Sequence, residues 1–355
     1  GVSAGHVRVF EYLDGEWLQL GSDIDGNEHD QCGNSVSLSS DGHILAVGSF
    51  SSSANGQQSG QTRIFQYSGG NWLLVGEPIN GEAAEDRSGA RVRLNNSGNI
   101  VAIGAFRNSG NGEEAGHVRI YENVEGNWLQ IGEDIDGEAI GDQCGYSISL
   151  NSSGTIIAVG ARKNDENGDN SGSTRVFENM NGQWQQIGEN IFGEAQGDNS
   201  GYKVSLNSEG NILAVGAIYN SNINGVAAGH VRVYEYLDNS WTQIGTDING
   251  KNAMDGSGFS VSLNSDGSRV VIGSPWNDGN DDDSGQVRVF NYEPTGINNS
   301  DFTKKLRVYP NPSSGIIKIQ AENIEFIEIT NQLGYSVFKD EVNSGFLILN
   351  LNHLA

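Results

Sequence analysis

Two segments crowded with oxygen donors are the first residues in this chain whose types could do chemistry. Asn164-Asp165-Glu166-Asn167-Gly168-Asp169-Asn170 and Asn277-Asp278-Gly279-Asn280-Asp281-Asp282-Asp283 hold the carboxylates and amides that suit a calcium ion. Asp165, Asp169, Asp278, Asp281, Asp282 and Asp283 are therefore the candidate metal ligands, with calcium as an optional cofactor and none required. Neither segment has EF-hand spacing, and Asn, Asp and Gly are also ordinary turn formers. Trp276, just ahead of the second segment, is the candidate ligand contact, because indoles are platforms for sugar rings and this one stands outside the repeating register. Signs of catalysis are sparse. His6, His117 and His230 share one slot that Gln61, Ser173 and Gln286 fill elsewhere, and no Gly-x-Ser-x-Gly, His-Glu-x-x-His or Cys-x-x-Cys occurs. Carboxylate pairs for glycosidic chemistry form in space, and nothing in the sequence singles one out. The expectation is a protein that is not an enzyme.

The elements that must position these residues repeat. Trp17, Trp72, Trp128, Trp184 and Trp241 are spaced by 55, 56, 56 and 57 residues, and Arg8, Arg63, Arg119, Arg175, Arg232 and Arg288 keep the same register. Such a period means an array of supersecondary units. In the block from Gly145, Tyr146, Ile148 and Leu150 alternate with Ser147 and Ser149 as in a strand. The tight turn Asn151-Ser152-Ser153-Gly154 leads to the apolar run Ile156 to Ala161, which suits a strand covered on both faces. A polar loop, a strand at Thr174-Arg175-Val176-Phe177, the turn at Asn181-Gly182 and a strand from Trp184 complete a four-stranded meander. No repeat contains an amphipathic helix, so the meanders must cover one another. The fold class expected is all-β: a β-propeller of about six four-stranded blades over residues 1–293, incomplete at both ends. Complete blades are expected from Gly33, Gly89, Gly145 and Gly201.

Gly145-Tyr146-Ser147-Ile148-Ser149-Leu150, Ala158-Val159-Gly160-Ala161 and Gly172-Ser173-Thr174-Arg175-Val176-Phe177 resemble the FG-GAP repeat of integrin-α-type propellers, and Gly273-Ser274-Pro275 looks like its "GAP" element. That family's calcium loop lies between the first two strands. Here the connection is only the turn at Ser152-Ser153-Gly154, so its calcium site does not carry over. A second resemblance begins at Leu306-Arg307-Val308-Tyr309-Pro310-Asn311-Pro312-Ser313-Ser314-Gly315 and continues at Asn331-Gln332-Leu333-Gly334-Tyr335. It is similar to the C-terminal sorting domain of type IX secretion substrates in Bacteroidota-type bacteria, with Tyr309, Pro310, Asn311, Pro312, Gly315 and Gly334 as the sorting motif. The resemblance implies a small Ig-like sandwich over 306–355 after a linker at 294–305, recognition by the export machinery, and a secreted or outer-surface location. The chain starts within a blade and stops short of the family's last strand, so a longer precursor is expected.

Forty-five acidic against twenty basic residues give a net charge of −25, which argues against nucleic acid and against an anionic membrane surface. No run approaches the roughly 18 apolar residues of a membrane-spanning helix. Cys32 and Cys144 hold one slot two repeats apart, where Ser88, Ser200 and Ser257 stand elsewhere, so they are expected to be unpaired thiols. The tryptophans, the register arginines, and Asp30, Asp86, Asp142, Asp198 and Asp255 recur in every block. Recurrence favours a packing role: the indoles buried, the arginines paired with acidic neighbours, the aspartates capping turns. The functional expectation is an exported surface propeller that binds a glycan or protein. The alternative is a secreted polysaccharide-degrading enzyme with carboxylates at the channel.

Overall fold

The computed structural model describes residues 1–279 and 281–292, and beyond them the backbone of three strands, Arg307–Tyr309, Ile316–Thr330 and Ser336–Asn350. The chain divides into two compact units, Gly1–Tyr292 and Glu293–Ala355. Among the described residues there is no helix.

The first unit is a β-propeller. Blade 4 serves as the pattern: Cys144–Leu150, Ile156–Ala161, Ser173–Met180 and Gln183–Gln186 pair antiparallel in chain order, and the short strand Ile191–Phe192 returns to the third strand. Blades 2, 3 and 5 repeat this arrangement, blade 1 shows its third and fourth strands, and blade 6 shows three strands. The returning fifth segment was not foreseen, because two residues are too few for a periodic signal. The turn at Asn181-Gly182 holds both residues at positive φ, 56° and 85°, the geometry that twists with the flanking strands of a tight hairpin.

The first strands of successive blades, Ser35–Leu38, Arg91–Leu94, Cys144–Leu150, Ser200–Leu206 and Ser260–Leu263, lie next to one another along the inner edge. Their serines bridge from blade to blade: the Ser35, Ser37, Ser149 and Ser205 hydroxyls accept the backbone N–H of Val92, Leu94, Leu206 and Leu263 at 2.9–3.0 Å. Behind the serines, apolar residues of the first three strands form a core between blades, such as Val92 and Leu94 of blade 3 against Ala46 and Ile64 of blade 2. A column of second-strand glycines sets how closely blades approach. A Cβ at Gly48, Gly104, Gly160 or Gly216 would run into the carbonyl of Gly89, Gly145, Gly201 or Gly258 in the next blade.

The second unit shows one antiparallel sheet of three strands, with the two long strands paired to each other. The expected sandwich is thus met by a single sheet among the described residues. Tyr309 ends the first of the three strands; Pro310, Asn311, Pro312, Gly315 and Gly334 lie outside the described residues.

Candidate functional site

The recurring residues hold blades together. Trp72, Trp128, Trp184 and Trp241 each donate the indole N–H to a carbonyl of the preceding blade, Leu20, Val75, Ile131 and Ile187, at 2.9–3.0 Å. Asp86, Asp142, Asp198 and Asp255 accept pairs of backbone N–H groups in their own turns, as with Glu82 and Ala83 on Asp86 at 3.0 and 2.8 Å. The register arginines differ from expectation. Arg63, Arg119, Arg175, Arg232 and Arg288 donate first to backbone carbonyls of the preceding blade's connection, Asp25, Asn80, Asp136, Phe192 and Asn249. Carboxylates stand farther off, with Glu82 at 3.5 Å from Arg119 and Glu194 at 3.9 Å from Arg232. A carbonyl is supplied by every block whatever its side chains, which is why it is the constant partner. Cys32 and Cys144 are both free and buried, each bridged to a glycine just ahead of the preceding blade's third strand, Gly5 and Gly116.

Four of the six candidate calcium-loop carboxylates accept hydrogen bonds within their own loops. Asp278 accepts the N–H of Asp283 at 2.9 Å and Asp281 that of Asp282 at 3.0 Å; Asp165 accepts the N–H of Asn170 at 2.6 Å, and Asp169 the side-chain amide of Asn170 at 2.6 Å. Three His, Cys, Asp or Glu ligand atoms do not converge in either loop among the described residues. Trp276 sits elsewhere in function: it is the last member of an arc of rings.

That arc runs along one end of the blades, where first strands begin and second strands end. Phe106, Tyr146, Tyr202, Phe259 and Trp276 follow one another with ring centroids 5.4, 5.2, 5.5 and 5.7 Å apart. Tyr146, Tyr202 and Phe259 fill one repeat slot in blades 4, 5 and 6, and Asn34 and Ala90 fill it in blades 2 and 3. Phe259 keeps 40% of its surface exposed, so the arc offers ring faces as well as packing. The Arg162 guanidinium lies 3.9 Å from the Tyr146 centroid and donates to the Gln143 side chain at 3.0 Å, and Arg91 lies 5.1 Å from the same ring.

Cations gather beside the rings. Arg91, Arg93 and Lys203 stand in the first-strand column that serines occupy in the other described blades. Among the described residues the Arg91 and Arg93 guanidinium groups donate to the carbonyls of Ala90 and Val92. Burial, then the charges of Arg93 and Arg91, push the Lys203 ammonium down to about 8. Among the described residues no carboxylate pairs with any of the three. With Arg87, Arg107 and Arg162, six of the twenty basic residues stand at this end of a chain of net charge −25. Arg107 is paired with Glu114 at 3.4 Å, so the positive charge open to an incoming anion is that of Arg91, Arg93 and Lys203. Sequence reasoning missed these residues, although the signal was present: Ser35, Arg91, Ser147, Lys203 and Ser260 hold one slot, and two of the five break a column of serines.

Two further clusters lie at the blade boundaries. Glu82, His117 and Asp134 come together in blade 3, and Glu194, His230 and Asp247 in blade 5. Burial, with the neighbouring Arg232 second, brings the His230 imidazole down to about 4. A cavity of about 320 Å³ opens between the outer strands of blades 3 and 4, over Trp184, Arg175 and Asp134. It is made of the residues that seat the blade 4 indole, whereas the ring arc and its cations depart from the repeat.

Comparison with known proteins separates the two units. Residues 307–355 match the family model of the secretion system C-terminal sorting domain. The chain is therefore a type IX secretion substrate, and its destination is the cell surface or the medium. No helix among the described residues is long and apolar enough to cross a membrane. The fold as a whole is similar to the periplasmic gluconolactonase PpgL of Pseudomonas aeruginosa, at 12% identity over 98% of this chain and 96% of that one with a TM-score of 0.54. It is also similar to a Bacteroides uniformis protein provisionally assigned as a 6-phosphogluconolactonase, at 15% identity over 98% and 96% with a TM-score of 0.52. A complex of KlAtg21 with the coiled coil of AgAtg16 shares it at 14% identity over 96% and 94%, TM-score 0.55. No curated protein sequence matches the chain. At these identities the likeness shows the fold alone. It does correct the expectation that this is not an enzyme: the structures that share the propeller over nearly the whole chain include proteins named as lactonases.

Proposed function

We propose that this exported propeller engages an anionic carbohydrate, a uronate- or sulfate-bearing glycan outside the cell, at the ring arc. The observation that carries the reading is the set Arg91, Arg93 and Lys203, cations without carboxylate partners beside aromatic rings in a chain of net charge −25. Sugar rings present C–H faces that stack on Tyr202, Phe259 and Trp276, and guanidinium groups pair with carboxylate or sulfate oxygens through two hydrogen bonds at once. The FG-GAP resemblance of the repeats fits an extracellular recognition scaffold. The same site is where turnover would occur, since one neighbour on this fold is named a gluconolactonase.

The test is a glycan array on the full chain that compares uronate and sulfated oligosaccharides with neutral ones, with bound fractions recovered and assayed for cleavage. Preference for the anionic glycans, lost in Arg93→Ala and Lys203→Met, is the expected outcome. Equal binding of neutral glycans, or binding that both variants retain, overturns the reading. Cleaved product from wild type alone would make the site catalytic as well as binding.

A further inference from the structure

The histidine slot offers a second kind of chemistry, unrelated to the loops rich in aspartate. His230 is 1% exposed, and both its ring nitrogens lack a hydrogen-bond partner. Its Nδ1 faces two carboxylates, 3.7 Å from Glu194 Oε2 and 3.9 Å from Asp247 Oδ2. Those separations are too long for hydrogen bonds. In blade 3, His117 Nδ1 stands 3.8 Å from Glu82 Oε2 and 3.1 Å from Asp134 Oδ2, and its Nε2 is likewise buried without a partner. A buried imidazole that makes no hydrogen bond is costly to keep, so its presence at this slot asks for a ligand.

The other blades show that the fold does not need it. Where Ser173 replaces the histidine, Asn190 replaces the aspartate and donates straight to Glu138 at 2.9 Å. Where Gln61 stands, Pro78 takes the aspartate position and the Gln61 amide donates to Asn80 at 2.9 Å. Histidine therefore travels with aspartate: His6 with Asp23, His117 with Asp134, His230 with Asp247. The neutral blades make an amide hydrogen bond here, whereas the histidine blades set two carboxylates around one nitrogen, bonded to Asp134 in blade 3 and to neither carboxylate in blade 5.

We infer that Glu82, His117 and Asp134, and separately Glu194, His230 and Asp247, each bind one divalent transition-metal ion of the zinc class at a blade boundary. One imidazole nitrogen with two carboxylate oxygens is a mixed donor set for such an ion. Bonds of about 2.0–2.2 Å to each donor place the donors roughly 3.4 Å apart, close to the spacings already present. The arginines complete the arrangement instead of competing. Each glutamate turns one oxygen to the histidine and the other to Arg119 or Arg232, at 3.5 and 3.9 Å, the outer contact that orients a ligating carboxylate. Three protein donors leave a position for water.

The experiment is calorimetric titration of the full chain with zinc sulfate, with metal content measured after dialysis. Wild type is expected to take two equivalents, His230→Gln and His117→Gln one each, and the double variant none. Because a buried histidine variant can lose its fold, Glu194→Gln, on a 44% exposed side chain, serves as the second probe; a weakening of about tenfold or more at one site is expected. No uptake by the wild type, or two equivalents kept by the double variant and by Glu194→Gln, overturns the inference.

Discussion

The indole N–H of Trp184 donates to the carbonyl of Ile131, 3.0 Å away across the boundary between blades 4 and 3. Trp17 occupies the same repeat slot in blade 1 and is 67% exposed. The pair separates what the residue type contributes from what the neighbouring blade contributes. Trp184→Phe removes the donor and leaves a half-buried carbonyl without its indole partner, at a cost of about 1 kcal/mol. Trp17→Phe is expected to change stability by less than about 0.5 kcal/mol. Urea midpoints of the two variants measure the difference, and equal shifts would remove the indole bond from the blade boundary.

Lys203 gives a pH dependence whose sign is set by its folded value of about 8 against an ordinary 10.5. The unfolded chain holds this proton more tightly than the folded one. The charged lysine therefore works against folding below about pH 8, and that penalty fades as pH rises from 8 to 10.5. Lys203→Met should accordingly be more stable than wild type at pH 7, with the gap closing across that window in urea titrations. Anionic glycan binding moves the opposite way and weakens in wild type as pH rises through 8. A stability gap independent of pH would mean that Lys203 keeps an ordinary pKa.

Both thiols are expected to stay silent in the native protein. Burial raises the Cys144 thiol to about 11, and the thiolate is the reactive form. A maleimide should label neither cysteine in the folded chain and both in urea, with no reductant added. Labelling that needs prior reduction would show a bridge.

The sorting domain should be separable from recognition. Removal of residues 307–355 in a host with type IX export is expected to abolish surface display and leave glycan binding by the purified propeller unchanged. Surface display that persists without the segment would contradict its role as the export signal.

The repeat was legible because packing wrote it: Trp128 and Trp184 recur with the carbonyls they bond, and Ile157, Val159 and Ala161 alternate with the blade they cover. The returning strand Ile191–Phe192 was not legible, since its pairing with Ser173 and Thr174 is set by the loop's closure and not by any local pattern. Trp276 stood out in the sequence by its departure from register, but its place at the end of a ring arc depends on Phe259, whose slot reads as an ordinary strand position. Arg91 and Lys203 were overlooked because a cation in an alternating strand looks like a solvated face. Only the array of first strands, one from each blade along the inner edge, brings them together. Asp278 and Asp281 were legible as oxygen donors in a loop dense in carboxylates, but their hydrogen bonds to the N–H groups of Asp283 and Asp282 follow from the loop's own turn geometry and not from any spacing in the sequence.

The glycine column has a consequence for how such a chain is inherited. Gly160 of one block meets Gly201 of the next, and each block carries both partners, one in its first strand and one in its second. A duplicated block thus arrives with each half of a compatible boundary already encoded. The gene can lengthen without inventing a new surface, while slots outside that contact, such as the one holding Ser147, Lys203 and Ser260, are released to diverge copy by copy.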